Sequence, residues 1–481
     1  TTDNAKAVKV RFLEGFNSRE VLDFNLYMSH HDVWVASIAD QGDGPVLLIP
    51  DTSCTVPYLY EIVDGVQPFL DLRYTGTYVD GGPTSIQRAA EGHFEMIEMG
   101  VLVKDSDVAD AVTHVDGVPA DCQLLSDLWT EDLEGNIWFQ EATASTPCSD
   151  DGAVGEACTD MGRSSGGLFG GAAVVNADNG TMYSYDAKAI QGFDKSTNGI
   201  HYEPGDEFPS LANGSENDAW VFFGVPQNTP VFLDYENSVD AVSAVFMHEH
   251  VMNEYVTVEG AAGTEWVVTF PTKAFYADAY LMNKLDIEIR EPCDEDDEDC
   301  DPDLTDILPR APFTHLFGDE QCEYVSLKTW DREEATFIDP TDPIVPKPPT
   351  VSPSDPTQPC VPGEDEECTE AVFALCNEVN VLRFGEQSVF GTPDFGDEGS
   401  LLLSVEDEFA AGWGRMNLGV SGFNAAGDAI MRTDEEGLVG LPVTGFAAWE
   451  FENNYAEGGT IKAFYGGLFT HKGNVRRVNV D

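Results

Sequence analysis

The segment Ala7-Val-Lys-Val-Arg-Phe12 is the clearest pointer to the fold class of this chain. Val8, Val10 and Phe12 fall on one side of an extended backbone, and the two basic residues between them fall on the other. Strict alternation of apolar and polar residues is typical of a β-strand with one face buried. The segment therefore predicts an interior strand of a half-buried antiparallel sheet, packed through Val8, Val10 and Phe12.

Similar short segments, rich in β-branched and aromatic residues and bounded by turn-forming residues, recur along the chain. They cover residues 22–26, 33–37, 46–49, 93–99, 220–223, 231–235, 243–251, 266–270, 324–330, 381–384, 401–405, 447–451 and 460–465. Helical patterning is confined to residues 106–114 and 121–129. The sequence predicts an all-β, mainly antiparallel protein: two or more immunoglobulin-like β-sandwich domains with few short helices and long disulfide-stapled loops.

The strongly acidic composition argues against two classes of binding partner. The 481 residues contain 24 Lys+Arg and 87 Asp+Glu, for a formal net charge of −63. Binding to nucleic acid or to an anionic membrane surface needs clustered basic residues, so both are disfavoured. Aromatic residues make up 11% of the chain, which argues against disorder, and no apolar run approaches the ~18 residues of a membrane-spanning helix.

Two domains are expected from the distribution of Gly, Ser, Asp and Pro. Residues 150–171 are rich in Gly, Ser and Asp, which places a boundary between a sandwich-like domain at 1–150 and a second β-rich region at 151–481. A proline-rich, acidic insertion follows at about 339–370. Proline cannot donate to a β-ladder or continue a helix, so this insertion is expected to be extended chain between two strands of one domain.

The cysteine pattern indicates an oxidising compartment. The ten cysteines show no Cys-x-x-Cys spacing of a metal site or haem attachment site, and three close pairs bracket polar loops. Disulfides are therefore predicted at 148–158, 293–300 and 360–368, and the remaining four cysteines are paired as 54–122 and 322–376. The predicted disulfide cysteines are Cys54, Cys122, Cys148, Cys158, Cys293, Cys300, Cys322, Cys360, Cys368 and Cys376.

Ca²⁺ is the candidate cofactor, because carboxylates crowd one disulfide-bounded loop. Hard cations prefer six to eight oxygen ligands, and extracellular Ca²⁺ is abundant enough to fill weak sites. The alternative is an acidic surface with diffuse counterions. The candidate ligands are Asp294, Asp296, Asp297, Asp299, Asp301 and Asp303.

A transition-metal site at His248 and His250 is a second possibility. Residues two apart in a strand share a face, so both imidazoles could reach one ion. A third histidine is missing from the neighbourhood, and a pair of surface histidines is the alternative reading. Gly162-Arg-Ser-Ser-Gly166 matches the letters Gly-x-Ser-x-Gly, but no strand-to-helix context surrounds it, so it is interpreted as a flexible connector and not as a nucleophile elbow. The sequence has no phosphate-cradling loop, and no catalytic residue is predicted.

Several segments resemble uncharacterised secreted or cell-surface β-rich proteins of proteobacteria. They are AKAVKVRFLEG at 5–15, SREVLDFNLYMS at 18–29, DVW at 32–34, GAAVVN at 171–176, GTMYSY at 180–185 and EWVVTFPTK at 265–273. The resemblance implies an exported surface protein without an assigned activity. It also implies a further strand before Thr1, so that the sheet position beside Val8, Val10 and Phe12 would be filled either by a trimmed segment of the same chain or by a neighbouring subunit.

These observations lead to one functional expectation and two alternatives. The expected function is a structural subunit of an extracellular bacterial assembly, such as a filament, tube or surface layer, that polymerises with copies of itself by sharing β-strands. The first alternative is a Ca²⁺-assisted adhesin or glycan-binding module. The second is a secreted carbohydrate-active enzyme. Neither nucleic acid nor membrane insertion is expected.

Overall fold

The computed structural model describes most of the chain. The described residues are 4–59, 65–130, 160–177, 179–196, 200–223, 230–291, 305–318, 322–332, 371–385, 387–391, 400–403, 410–419, 430–433, 436–456 and 461–479. The predicted Ca²⁺ ligands Asp294 to Asp303, the cysteines at 148, 158, 293, 300, 360 and 368, and the proline-rich insertion lie outside these residues.

The chain divides into two compact units. The first unit draws on Thr1–Phe169, Ala189–Asn217 and Asn237–Val242, and the second draws on Gly170–Lys188, Asp218–Glu236 and Ser243–Asp481. The sequence predicted one division at residue 150. In the structure the chain instead passes between the units several times, because two hairpins from the middle of the chain belong to the second unit.

The described part of the first unit contains ten strands, most of them short. They are β1 (Lys6–Glu14), β2 (Glu20–Met28), β3 (Ser37–Asp40), β4 (Pro45–Leu48), β5 (Cys54–Val56), β6 (Val66–Pro68), β7 (Gly92–Leu102), β8 (His114–Val115), β9 (Val118–Pro119) and β10 (Met161–Gly162). Five of these strands form sheet A in the order β10-β7-β1-β2-β5, and β3, β4 and β6 form a three-stranded sheet. Two short helices, α1 (Asp107–Val112) and α2 (Cys122–Leu128), confirm the predicted helical segments.

The second unit contains the remaining strands. They are β11 (Gly171–Asn176), β12 (Thr181–Asp186), β13 (Asp218–Val221), β14 (Val231–Asp234), β15 (Met247–His248), β16 (His250–Val256), β17 (Ala262–Thr269), β18 (Ile289–Arg290), β19 (Ile307–Leu308), β20 (Glu323–Asp331), β21 (Ala371–Leu375), β22 (Val379–Phe384), β23 (Ser400–Leu403), β24 (Ala411–Asn417), β25 (Ile430–Arg432), β26 (Glu436–Val439), β27 (Leu441–Pro442), β28 (Thr444–Ala456), β29 (Ile461–Thr470), β30 (Lys472–Asn474) and β31 (Arg476–Asn479). Three further helices are α3 (Ser238–Phe246), which spans the boundary between the units, α4 (Ala274–Ala277) and α5 (Ala279–Lys284).

Two five-stranded sheets organise the second unit. Sheet B has the order β21-β20-β24-β16-β30, and sheet C has the order β23-β22-β17-β28-β29. Among the described strands only β22 and β23 pair in parallel. Trp266 of sheet C is fully buried and fills the space left by Gly414 of sheet B, where an added Cβ would lie 3.0 Å from the indole. The protein is thus mainly antiparallel β-structure with few short helices, as the sequence predicted.

The structure confirms two predicted disulfides. Cys54 is bonded to Cys122, which joins sheet A to α2. Cys322 is bonded to Cys376, which joins the beginning of β20 to the residue that follows β21. Each bond links positions more than fifty residues apart in sequence, and bonds of this kind restrict the unfolded chain strongly.

Strand β1 differs from the sequence-based prediction in two ways. Val8, Val10 and Phe12 lie in a buried cluster, as predicted, but β1 already pairs with β2 on one side and β7 on the other. The position beside β1 is therefore filled by this chain, and the expectation of a missing neighbour is wrong. Strand β7 begins some eighty residues after β1, and a pairing over that distance leaves no local sequence signal.

The second face of β1 is buried as well, although alternation predicted a solvent-exposed face. Lys9 is fully buried and forms an ion pair with Asp23. Arg11 is 6% exposed and pairs with Glu20 at 2.9 Å and with Glu95 at 2.7 Å. Buried charges persist only when they are paired, so this face is an ion-pair cluster between three strands.

A segment from residues 200 to 207 covers this cluster. The Lys9 ammonium donates to the carbonyl of Glu203 at 3.2 Å, and the Gly205 amide donates to the Asp23 carboxylate at 2.8 Å. His201 Nε2 lies 2.9 Å from the Tyr27 hydroxyl, and burial lowers the pKa of His201 to about 3. The imidazole is therefore neutral, and the segment closes the charged face from solvent.

Replacement of Glu20 tests the charge balance of this cluster. When every group is ionised, the two cations Lys9 and Arg11 face the three carboxylates of Asp23, Glu20 and Glu95. Burial raises the pKa of Glu20 to about 7, above its ordinary value of 4.5, so wild-type stability falls as pH rises from about 4.5 through 7.

The variant Glu20→Gln cannot ionise at this position, so it does not lose stability in this way as pH rises. We expect equal urea stability of variant and wild type at pH 4.5, and a more stable variant at pH 8 by on the order of 1–3 kcal/mol. A variant that is less stable at both pH values would contradict the charge count.

Candidate assembly surface

The hairpin formed by β11 and β12 is anchored to the second unit through one face. Tyr183 donates to Glu450 of β28 at 3.0 Å, and the Asn179 side chain donates to the same carboxylate at 2.8 Å. Glu450 is only 3% exposed, so these donors satisfy a buried charge. The Tyr185 ring lies 4.7 Å from the ring of Phe446, and burial raises the pKa of Tyr183 to about 12. The hairpin is therefore fixed in place.

The other face of this hairpin is apolar and exposed. Val175 is 65% exposed and Met182 is 66% exposed, and the two residues lie opposite each other in the register. Ala173 and Ser184 form the next pair on the same face and are also exposed. Large exposed apolar side chains on one face commonly mark a contact with another protein.

The outer edge of β11 is unpaired among the described residues. The Ala187 amide donates to the Gly170 carbonyl at 2.9 Å, which makes these two residues a hydrogen-bonded pair. Because such pairs alternate in an antiparallel ladder, the main-chain groups of Gly171, Ala173 and Val175 point away from β12. An open edge of this kind can accept a strand from another chain.

The sequence around this edge carries no charge. No Asp, Glu, Lys or Arg occurs between Ser164 and Ala177, in a chain whose net charge is −63. Natural proteins usually protect an edge strand with lysine, proline or a bulge, and β11 has neither lysine nor proline and pairs with β12 without a register shift. We define the exposed edge and face of β11 as the β11 edge.

A second hairpin, β13 and β14, has a similar division. Ala219, Val221 and Leu233 are buried, whereas Trp220 and Phe232 are about half exposed and lie 5.3 Å apart, centroid to centroid. A two-stranded hairpin is marginally stable by itself and depends on packing of one face. The β11–β12 and β13–β14 hairpins therefore both present apolar side chains to solvent on the face that is not packed.

The histidines predicted to bind a transition metal lie in separate strands. His248 ends β15, and its Nδ1 lies 2.7 Å from the Phe246 carbonyl oxygen. His250 begins β16, with Nδ1 4.0 Å from the Glu249 carboxylate. Within the described part of the chain, no three His, Cys, Asp or Glu side chains are grouped so that they could hold a metal ion.

The β11 edge was not among the sites predicted from the sequence. The sequence feature that could have indicated it is the uncharged stretch around Gly171-Ala-Ala-Val-Val-Asn176. The same stretch carries part of the resemblance to surface proteins, and that resemblance does not identify it as an open edge. The described helices include none with the length and apolar character needed to cross a membrane.

Comparison with known proteins identifies no relative. No protein-family model matches the chain, and neither the curated proteins nor the solved structures contain a match. The resemblance to surface proteins therefore stays a prediction, and the functional argument depends on the geometry of the chain itself.

Proposed function

We propose that this chain is a structural subunit of an extracellular assembly, such as a filament, tube or surface layer, in which copies join by adding a β-strand to the β11 edge. The observation that carries the proposal is the uncharged strand Gly171–Asn176, with main-chain groups that have no partner strand among the described residues. An added strand would pair with those groups and cover Ala173 and Val175.

Oxidised cysteines support the extracellular setting. Disulfides persist in secreted and surface proteins and are rare in the cytosol, and the described residues contain two. A strand donated from elsewhere on the next copy makes a head-to-tail contact, which generates a filament when it does not close into a ring. The proposal retains the immunoglobulin-like sandwich as the expected class of each unit.

The first test is the mass of the purified, oxidised protein in solution. We expect light scattering to give particles much larger than the 52.4 kDa chain, and negative-stain electron microscopy to show regular particles of constant width. A single species at the monomer mass over a hundredfold range of protein concentration would overturn the proposal. Formation of irregular aggregates alone would also count against it.

A further inference from the structure

A second surface of the molecule lies on sheet B, on strands other than β11. The register places Trp330 of β20 opposite Trp413 of β24, and Trp413 opposite Glu254 of β16. The two indoles stack with centroids 4.0 Å apart and planes inclined by 10°. Trp413 is 37% exposed. A stacked pair of tryptophans on an accessible sheet face provides a rigid aromatic surface for a ligand.

Three basic side chains lie in the adjacent row of the same face. Lys328 is opposite Arg415, Arg415 is opposite Met252, and Met252 is opposite Lys472. The Lys328 ammonium lies 5.4 Å from the Trp330 ring centroid, and the Arg415 guanidinium lies 5.9 Å from it. We call Trp330, Trp413, Lys328, Arg415 and Lys472 together the tryptophan–cation face.

The cations of this face form no ion pair within the described part of the chain, although one carboxylate, that of Glu254, lies on the same face. None of the ion pairs formed there includes Lys328, Arg415 or Lys472. The Nε atom of Arg415 is buried and has no hydrogen-bond partner among the described residues. Like charges directly opposite each other in a sheet are destabilising. In a chain with 87 acidic and 24 basic residues, three neighbouring cations with no ion pair to any described residue indicate a surface arranged for an external anion.

The buried side of sheet B explains why this face is firm. Val325, Leu327 and Met416 point to the opposite side of β20 and β24 and are 5% exposed or less. Side chains alternate between the two faces of a strand, so burial of these residues fixes the indoles and cations on the accessible side. The face is therefore held in place without a ligand.

We propose that the tryptophan–cation face binds an anionic polysaccharide that contains uronic acids. Carboxylates along the polymer would meet Lys328, Arg415 and Lys472, and the apolar faces of its pyranose rings would pack against Trp413. A linear polymer suits this arrangement, because the cations lie in a row that crosses neighbouring strands spaced about 4.8 Å apart. An acidic peptide would meet the cations but would gain less from the exposed indole.

The overall charge of −63 does not prevent this contact. At physiological ionic strength the Debye length is about 8 Å, so remote carboxylates are screened while cations in direct contact with the polymer are not. The same argument predicts that binding weakens with added salt, because each contact releases a condensed counterion. The site is independent of the β11 edge, since it lies on β20, β24 and β30.

Affinity electrophoresis and calorimetry with polygalacturonate test this inference, with dextran as the neutral polymer and poly-glutamate as the acidic peptide. The double variant Lys328→Gln/Arg415→Gln and the variant Trp413→Ala are compared with Lys188→Gln, which removes an exposed cation elsewhere. We expect the double variant to bind polygalacturonate at least tenfold more weakly, Trp413→Ala to bind it several-fold more weakly, and Lys188→Gln to match the wild type.

Melting curves of the same variants separate binding from folding. The double variant Lys328→Gln/Arg415→Gln relieves the repulsion between these two cations, so its melting temperature should equal or exceed that of the wild type. Three results would overturn the inference: no binding of polygalacturonate by the wild type, equal binding by the wild type and the folded double variant, or equally tight binding of poly-glutamate that Trp413→Ala leaves unchanged. The last result would identify an acidic peptide as the occupant.

Discussion

Introduction of lysine at the β11 edge should abolish assembly while leaving the subunit folded. Ala173 and Val175 are exposed, so Ala173→Lys and Val175→Lys place their ammonium groups in water in the dissociated chain. In an assembled pair each lysine would lie beside an added strand, and a charged edge is the usual means by which proteins prevent such pairing. We expect the double variant to give monomers at concentrations where the wild type forms large particles, as measured by light scattering.

The control for this experiment is Ser184→Lys. Ser184 lies directly opposite Ala173 on the same exposed face, but it belongs to β12, whose outer edge is on the opposite side of the hairpin from that of β11. Assembly through the edge of β11 predicts that Ser184→Lys still assembles. If both lysine positions block assembly equally, the contact is made through the face of the hairpin and strand addition is wrong.

Replacement of Arg88 should produce the largest loss of stability in the first unit. Its Nη2 donates to Glu14 at 3.0 Å and to Asp80 at 2.6 Å, and both carboxylates are buried. Glu14 also accepts the amides of Asn17 and Arg19, which holds the turn between β1 and β2. Arg88→Met removes the cation that both buried carboxylates share and leaves Asp80 with the longer ion pair to Arg19, at 3.5 Å. Loss of one partner from a buried ion pair costs about 3–5 kcal/mol.

A matched exposed ion pair provides the control for Arg88. Lys195 pairs with Glu216 at 2.8 Å, and the lysine side chain is 56% exposed. Exposed pairs contribute about 0–1 kcal/mol, so Lys195→Met should have little effect on urea unfolding of the same unit. Similar losses in the two variants would show that burial does not determine the contribution of these pairs.

The predictions from sequence succeeded where the signal was local or chemically specific. Alternation identified β1, and the expected pairings Cys54–Cys122 and Cys322–Cys376 are present. They failed where the environment of a strand is set by distant residues. The cations at 9 and 11 were assigned to a solvent-facing side, because nothing near them indicates that Asp23, Glu95 and residues 200–207 cover them.

The prediction of a strand over residues 243–251 was wrong in its first half. Residues 243–246 are the end of α3, and the strand begins only at Met247. The side chain of Asn237 accepts the Asp240 amide at 3.0 Å, which caps the helix at its beginning. Most of the apolar side chains in this segment are buried, so their distribution in the sequence shows no clear helical or strand periodicity. The capping residue Asn237 is therefore a better indicator of the helix than the apolar pattern.

Hydrogen exchange at the β11 edge tests the central claim most directly. The amides of residues 173 and 175 point away from β12 and have no partner strand among the described residues. They should therefore exchange rapidly in the dissociated Ala173→Lys/Val175→Lys variant. The amides of Val174 and Asn176, which point toward β12, should exchange more slowly in the same variant. Strand addition predicts that in wild-type particles the amides of residues 173 and 175 become as protected as those paired with β12. Rapid exchange of both amides in intact wild-type particles would show that the chains assemble without adding a strand to β11.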